Sequence, residues 1–259
     1  MNNMQEIATA IGAARAAALE PELVALLRGL IDLTYLGEKD DSAIDELCTK
    51  AKDVAAVCVY PYYIARVKDK LADKKTKIAT VVNFPQGNSK LDNVLQEMDS
   101  AIALYADEID VVLPYHDFIN GQFHEVNQFL IAVRKRCGNK VLKIIIESGA
   151  LQKPALIRLA GQMVIDSGAD FIKTSTGKVE VGATLEAAYA LLTLIEQSKN
   201  PAVGLKLSGG IRTVADAHAY VYLARAIMGQ GWLNPRTLRI GASRLVDDLP
   251  SGMPLFSER

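Results

Sequence analysis

Lys173 stands where an apolar run, Ala169 to Ile172, emerges from a strand that reads as buried; a Thr/Ser/Gly turn and a second lysine, Lys178, follow at once. An ammonium group at the mouth of an apolar core is unfavourable unless it is paired or deprotonated. Deprotonated, a lysine is a nucleophile for carbonyl carbons. The turn behind it presents backbone N–H groups and hydroxyls suited to an oxyanion or a phosphate. Taken alone, the stretch fits equally well a strand-end lysine reaching to water beside an ordinary turn.

Two further features weigh against that plainer reading. Val203-Gly204-Leu205-Lys206-Leu207-Ser208-Gly209-Gly210 repeats the pattern of apolar strand, lysine and glycine turn. About one helix separates Lys173 from Lys206, the spacing of successive strands in a βα repeat. Neighbouring strands lie ~5 Å apart, so two ammonium groups side by side repel, and one is pushed toward neutrality. The other feature is Asp110, set in the apolar run from Ile109 to Leu113. A carboxylate there is either a salt-bridged structural group or, facing the lysines, a general acid and base.

These residues need elements to position them. Residues 4–28, rich in Ala, Leu and Glu, read as an N-terminal helical addition. After them, eight apolar strand-like runs alternate with helical patterns, near 29–33, 54–59, 77–83, 108–113, 140–146, 169–173, 202–207 and 237–241. Leu91, Val94, Leu95, Met98 and Ile102 follow helical spacing, as do Leu185, Ala188, Tyr189, Leu192 and Ile195. Ser89 to Asp92 predicts a capping box, and Thr213 to Asp216 predicts another. Val141 to Ile146 lacks alternation, as expected of a parallel strand buried on both faces. Eight βα units predict a (β/α)8 TIM barrel, with residues 1–259 forming one domain. No Gly-x-Gly-x-x-Gly follows the first strand, which speaks against a dinucleotide fold.

Composition removes several classes of function. Lys and Arg total 29 and Asp and Glu 30, for a net charge of −1, so there is no basic excess for nucleic acid. No uncharged run approaches the ~18 residues of a membrane span, and the N-terminus lacks the pattern of a secretory signal. A cytoplasmic protein is expected. Cys48, Cys58 and Cys137 form no C-x-x-C pair, which predicts reduced thiols. His116, His124 and His218 lack ligand spacing, so no metal-dependent mechanism is expected.

Chemistry in such barrels sits at the C-terminal ends of the strands. The pattern puts Asp32 and Thr34 at the end of the first strand, Cys58 and Tyr60 at the second and Asn83 at the third. Lys143 and Glu147 fall on the fifth. Cys58 is either close enough to the site to meet reactive aldehydes or a small buried filler. Three glycine turns follow the last three strands: Thr176-Gly177-Lys178, Ser208-Gly209-Gly210 and Gly241-Ala242-Ser243. Glycine lets N–H groups approach an anion closely, and phosphate sites recur at this place in barrels.

Together these residues resemble the deoxyribose-phosphate aldolases, which are Schiff-base (class I) aldolases. The resemblance runs from Asp32 to Ser243 and includes Asp32-Leu33-Thr34, Asn83-Phe84-Pro85-Gln86-Gly87-Asn88, Lys143 to Gly149, and Gly204 to Lys206 with Gly209 to Thr213. The run Ala169 to Lys178 is its most specific part. The resemblance implies a lyase of carbohydrate degradation that reversibly cleaves 2-deoxy-D-ribose 5-phosphate to D-glyceraldehyde 3-phosphate and acetaldehyde. By it, Lys173 forms the imine, Lys206 lowers its pKa and Asp110 shuttles protons. Thr176, Gly177, Lys178, Gly209, Gly210, Gly241 and Ser243 fall where the family holds phosphate. It implies no metal or organic cofactor and a homo-oligomer, often a dimer. Two other readings stand beside it: a Schiff-base barrel aldolase for a keto-sugar phosphate, and a non-catalytic sugar-phosphate-binding barrel. The chain departs from many members in Leu207-Ser208, in Arg244, and in its tail Met253 to Arg259, which has no terminal tyrosine.

Overall fold

The computed structural model describes residues 3–71, 75–198, 200 and 203–249; the tail Met253 to Arg259 lies outside them. Two helices, α1 (Asn3–Ala16) and α2 (Pro21–Leu30), precede β1 (Ile31–Tyr35). The chain then runs α3 (Asp41–Lys50), β2 (Ala56–Val59), α4 (Ile64–Lys70), β3 (Lys77–Val82), α5 (Leu91–Ala103) and β4 (Glu108–Val112). It continues with α6 (Tyr115–Ile119), α7 (Phe123–Cys137), β5 (Val141–Ile145), α8 (Ser148–Leu151), α9 (Pro154–Asp166) and β6 (Phe171–Lys173). The last elements are α10 (Leu185–Ser198), β7 (Gly204–Ser208), α11 (Val214–Met228) and β8 (Leu238–Ala242). All eight strands are parallel, and β8 pairs with β1 to close the barrel. This is the expected (β/α)8 architecture.

The N-terminal addition is two helices, where the sequence reading expects one. Pro21 opens α2, a position where its missing N–H is harmless, and it cannot continue the helix before it. Leu23, Leu26, Leu27 and Leu30 form one buried stripe, so α2 runs to Leu30 and β1 starts at Ile31, not at residue 29. The other strands begin and end within two residues of the expected bounds, although residue 202 lies outside the described chain. Glu20, just before α2, pairs with Arg225 of α11 through two contacts of 2.6 Å. The predicted box at Thr213 is present, with Asp216 closing it. The one at Ser89 is not: Lys90 caps α5 without a side-chain bond, and Ser89 instead donates its N–H to Asn83 Oδ1.

Alternation within each strand divides the core in two. Ile31, Leu33, Val57, Ile109, Val111, Ile144, Leu205 and Leu207 face outward and pack under the helices. The inward set is different in kind. Ala56, Cys58, Ala79 and Val81 fill one side of the barrel, while β4 to β8 turn Glu108, Asp110, Lys143, Lys173, Lys206 and Arg239 into it. Shape-filling apolar residues usually occupy a barrel interior. Here seven charged side chains, with Asp32 of β1 among them, share it.

Candidate active site

Register explains why these charges meet. Asp110 sits opposite Lys143, Lys173 opposite Lys206 and Lys206 opposite Arg239. Lys173 and Lys206 are thus side by side on adjacent strands, as their matching positions before glycine turns predict. Asp110 Oδ2 accepts from Lys173 Nζ at 2.8 Å and from Lys206 Nζ at 2.7 Å, while Oδ1 accepts from Lys143 Nζ at 2.9 Å. Lys206 also lies 2.5 Å from Asp32, and Lys143 lies 2.5 Å from Glu108. Arg239 completes the layer below, reaching Asp32 at 2.6 Å and Glu108 at 2.8 Å. Asp32 lies deeper than the strand end expected for it, because β1 starts two residues late.

Four cations therefore share three carboxylates in one buried network: Lys143, Lys173, Lys206 and Arg239 against Asp32, Glu108 and Asp110. Neutralising one cation balances the charge, and the surroundings select Lys173. Burial pushes its amine below the ordinary lysine value, Asp110 opposes this, and the Lys206 charge adds to it. The sequence argument rested on repulsion between the lysines; burial is the larger cause. Burial also works against the charge of Lys206, but Asp110 and Asp32 outweigh it and hold its pKa above the usual range. Lys143 is raised in the same way by Asp110, Glu108 and Asp32. Asp110 is desolvated too, yet the three lysines hold it well below the usual carboxylate range, so it rests as an anion.

Above this layer a cleft of about 350 Å³ opens at the C-terminal ends of β1, β6, β7 and β8. Lys173 and Lys206 form its floor. Thr176, Gly177, Lys178, Gly209, Gly210, Gly241 and Ser243 all line it, so every expected phosphate residue is brought to this one cleft. Thr176 is the exception in chemistry. Its hydroxyl and its N–H both donate to Glu147, and its oxygen accepts from the Lys178 N–H at 3.0 Å. No donor of Thr176 is left for an anion, because the carboxylate takes them first.

Glycine is required where the loops converge. Gly209 has φ +88°, and a Cβ on it would lie 2.9 Å from both Gly182 Cα and Ser175 Oγ. Gly241 leaves room for Lys206: a Cβ there would meet Ser208 Cβ at 2.9 Å and Lys206 Cε at 3.5 Å. The unusual Ser208 adds a staple that alanine cannot make. Its hydroxyl donates to the Ser175 carbonyl, and the Ser175 hydroxyl donates back to the Ser208 carbonyl. The β6 and β7 turns are thereby fixed to one another. Lys178 donates to the Leu36 carbonyl at 2.6 Å and ties the β6 turn across to the loop after β1.

Sequence reasoning missed Tyr35, Leu36, Gly37 and Arg212 in the cleft wall, and Glu108 and Arg239 below it. The i, i+2 spacing of Glu108 and Asp110 was a usable signal, since alternate strand residues share a face. Cys58 packs as a filler would. It is fully buried beside Ala56, Ala79 and Val81, and burial raises its thiol pKa, which leaves little thiolate.

Arg244 is exposed and absent from the cleft wall, and only a four-residue 3₁₀ turn follows it. Arg244→Ser is therefore expected to change kcat/KM for a phosphorylated substrate by less than about fivefold, the loss of a screened charge. A tenfold fall confined to the phosphorylated substrate, measured against its unphosphorylated analogue, would make Arg244 a ligand.

A closed parallel barrel whose mouth carries a desolvated lysine amine beside a second lysine and a carboxylate defines an aldolase. The DeoC/LacD family aldolase model matches residues 29–241, and the chain belongs to that family. Its fold is similar to that of a Coccidioides immitis protein assigned as a deoxyribose-phosphate aldolase. The two are 28% identical over 95% of this chain and 97% of that one, with a TM-score of 0.78. QR15, an aldolase, is also 28% identical over 86% of this chain and 95% of its own, at a TM-score of 0.74. The tetrameric deoxyribose phosphate aldolase from Aeropyrum pernix shares the fold at 24% identity and a TM-score of 0.72, covering 92% and 96%. Among the described residues, no helix is long and apolar enough to cross a membrane.

Proposed function

We propose that the chain cleaves 2-deoxy-D-ribose 5-phosphate reversibly to D-glyceraldehyde 3-phosphate and acetaldehyde through an imine on Lys173. The observation that carries this reading is the Lys173 amine itself. It is buried, held 2.8 Å from Asp110 beside a charged Lys206, and open to a cleft walled by three glycine turns. The neutral amine adds to the C1 aldehyde, and loss of water, with one proton taken up from solvent, gives the protonated imine. That cation draws electrons from the C2–C3 bond as the C3 hydroxyl proton passes through water to Asp110; glyceraldehyde 3-phosphate leaves and an enamine of acetaldehyde remains on Lys173. Protonation at C2 and hydrolysis release acetaldehyde and restore the amine.

Asp110 starts as a carboxylate, so its first act is to accept a proton, relayed through water, as the carbinolamine forms. Lys206 stays an ammonium group and keeps a positive charge beside the amine. Gly177, Lys178, Gly209, Gly210, Gly241 and Ser243 hold the phosphate, far enough from C1 for its binding energy to orient the reacting carbons. No metal or organic cofactor enters these steps. The working unit in this reading is a homo-oligomer, a dimer in its simplest form, in the cytoplasm, where three unpaired thiols are at home.

Direct assay tests the substrate. Purified protein with deoxyribose 5-phosphate is expected to release acetaldehyde. Cleavage of a ketose phosphate to dihydroxyacetone phosphate, with deoxyribose 5-phosphate inert, would favour the keto-sugar reading; binding without any cleavage would favour a sensor. Lys206→Leu tests the charge arrangement. Removing the neighbouring cation raises the pKa of Lys173, so a higher pH is needed for the neutral amine. The acidic limb of the kcat/KM profile is expected to move up by about 1 pH unit. An unmoved limb would leave Lys206 a purely structural role.

A further inference from the structure

The cleavage steps leave one buried acid unused. Glu147 is fully buried at the end of β5, and among the described residues its carboxylate accepts only from Thr176: from Oγ1 at 2.6 Å and from the N–H at 3.3 Å on each oxygen. Its backbone is left-handed, φ 52° and ψ 59°, a conformation that non-glycine residues other than Asn and Asp seldom adopt. Such a conformation persists only where the surroundings over-determine it. Here they do. On one side the Ile146 N–H donates to the Lys173 carbonyl at 3.0 Å; on the other the Ser148 N–H donates to the Thr174 carbonyl at 2.7 Å. The end of β5 is thus bonded to the two residues at which β6 gives way to its turn, and Glu147 is turned toward that turn between them.

What the carboxylate does there follows from donors and acceptors. Thr176 gives both of its donors to Glu147, so its hydroxyl oxygen is free to accept the Lys178 N–H at 3.0 Å. The Thr176 hydroxyl cannot point its hydrogen elsewhere while Glu147 is ionised or holds its proton on the far oxygen. The Gly177-Lys178 peptide is thereby held from one side by Thr176, and the Lys178 side chain is held from the other by Leu36. Burial raises the carboxyl pKa above the ordinary value, and the Thr176 bonds offset that only in part.

We propose that Glu147 is a positioning residue for phosphate recognition: acting through Thr176, it sets the turn that presents Gly177 and Lys178 to the phosphate of the substrate. The inference rests on the reading of the cleft as a phosphate site. It assigns to Thr176 the task of framing the turn, not of binding the anion.

Glu147→Leu keeps comparable bulk but removes the acceptor that Thr176 needs. The ratio of kcat/KM for deoxyribose 5-phosphate to that for deoxyribose is expected to fall at least about tenfold, mainly through KM. The dissociation constant of inorganic phosphate, read by calorimetry without turnover, is expected to rise by a similar factor. Thr176→Val should lose the same preference and Thr176→Ser keep it; the double variant E147L/T176V should be no worse than the worse single one. If E147L fails to fold, the Thr176 pair carries the test, Ser retaining and Val losing the preference. Equal losses on both sugars, unchanged phosphate binding, or additive effects in the double variant would overturn the positioning role alone. A parent enzyme with no preference for the phosphorylated sugar would overturn the phosphate reading, and this role with it.

Discussion

Lys173→Leu is expected to abolish cleavage, with kcat/KM falling by at least about 10⁴-fold, while the barrel remains folded. The two halves of this expectation have separate grounds. Without the amine there is no imine and no sink for the electrons of the breaking bond. The fold survives because Asp110 keeps Lys206 at 2.7 Å and Lys143 at 2.9 Å. With Lys173 neutral, the three carboxylates already face three cations, so its removal takes away no needed charge. Circular dichroism and a melting curve check the second half. A variant with substantial residual cleavage would mean that the nucleophile lies elsewhere.

Asp110→Asn is expected to harm both chemistry and stability, which sets it apart from the lysine variant. Loss of the proton acceptor should lower kcat by about 10² to 10⁴-fold with little change in KM. Breaking a buried ion pair on one side typically costs about 3–5 kcal/mol, since the lysines are left desolvated without their shared carboxylate. The pH dependence gives the sign. The folded pKa of Asp110 lies well below the ~3.9 of an unfolded aspartate, so its stabilisation is fully present above that value. It is lost as pH falls toward the folded value. Denaturant titrations from pH 7 to pH 3 should therefore show the parent losing stability on acidification and the Asn variant losing less. Near-normal kcat with only a raised KM would contradict the proton-transfer role.

Much of this arrangement is legible in one sequence because parallel strands write it locally. A lysine before a glycine turn marks a strand end, and Lys173 and Lys206 occupy matching places, so their pairing follows from the βα order. Asp110 stands out because an apolar strand has no use for an isolated carboxylate. The remainder depends on relations that sequence distance hides. Arg239 meets Glu108 across the barrel, between strands that are far apart in the chain and not adjacent in the sheet. Asp32 was placed too near the mouth because the leucine stripe of α2 runs unbroken into the apolar start of β1. The part played by Glu147 depends on a left-handed backbone that Ile-Glu-Ser-Gly does not announce. Thr176, which looked like an anion ligand, has its donors taken by that same residue.

The central claim is that Lys173 is the amine that bonds to the substrate carbon. Reduction with borohydride in the presence of acetaldehyde freezes the imine as a stable secondary amine, and peptide mapping then locates it. The label is predicted on Lys173, in the peptide that contains the Thr174-Ser175-Thr176 turn, and is predicted to be absent from Lys173→Leu. A label on Lys206 or Lys143 in the parent protein would contradict the account.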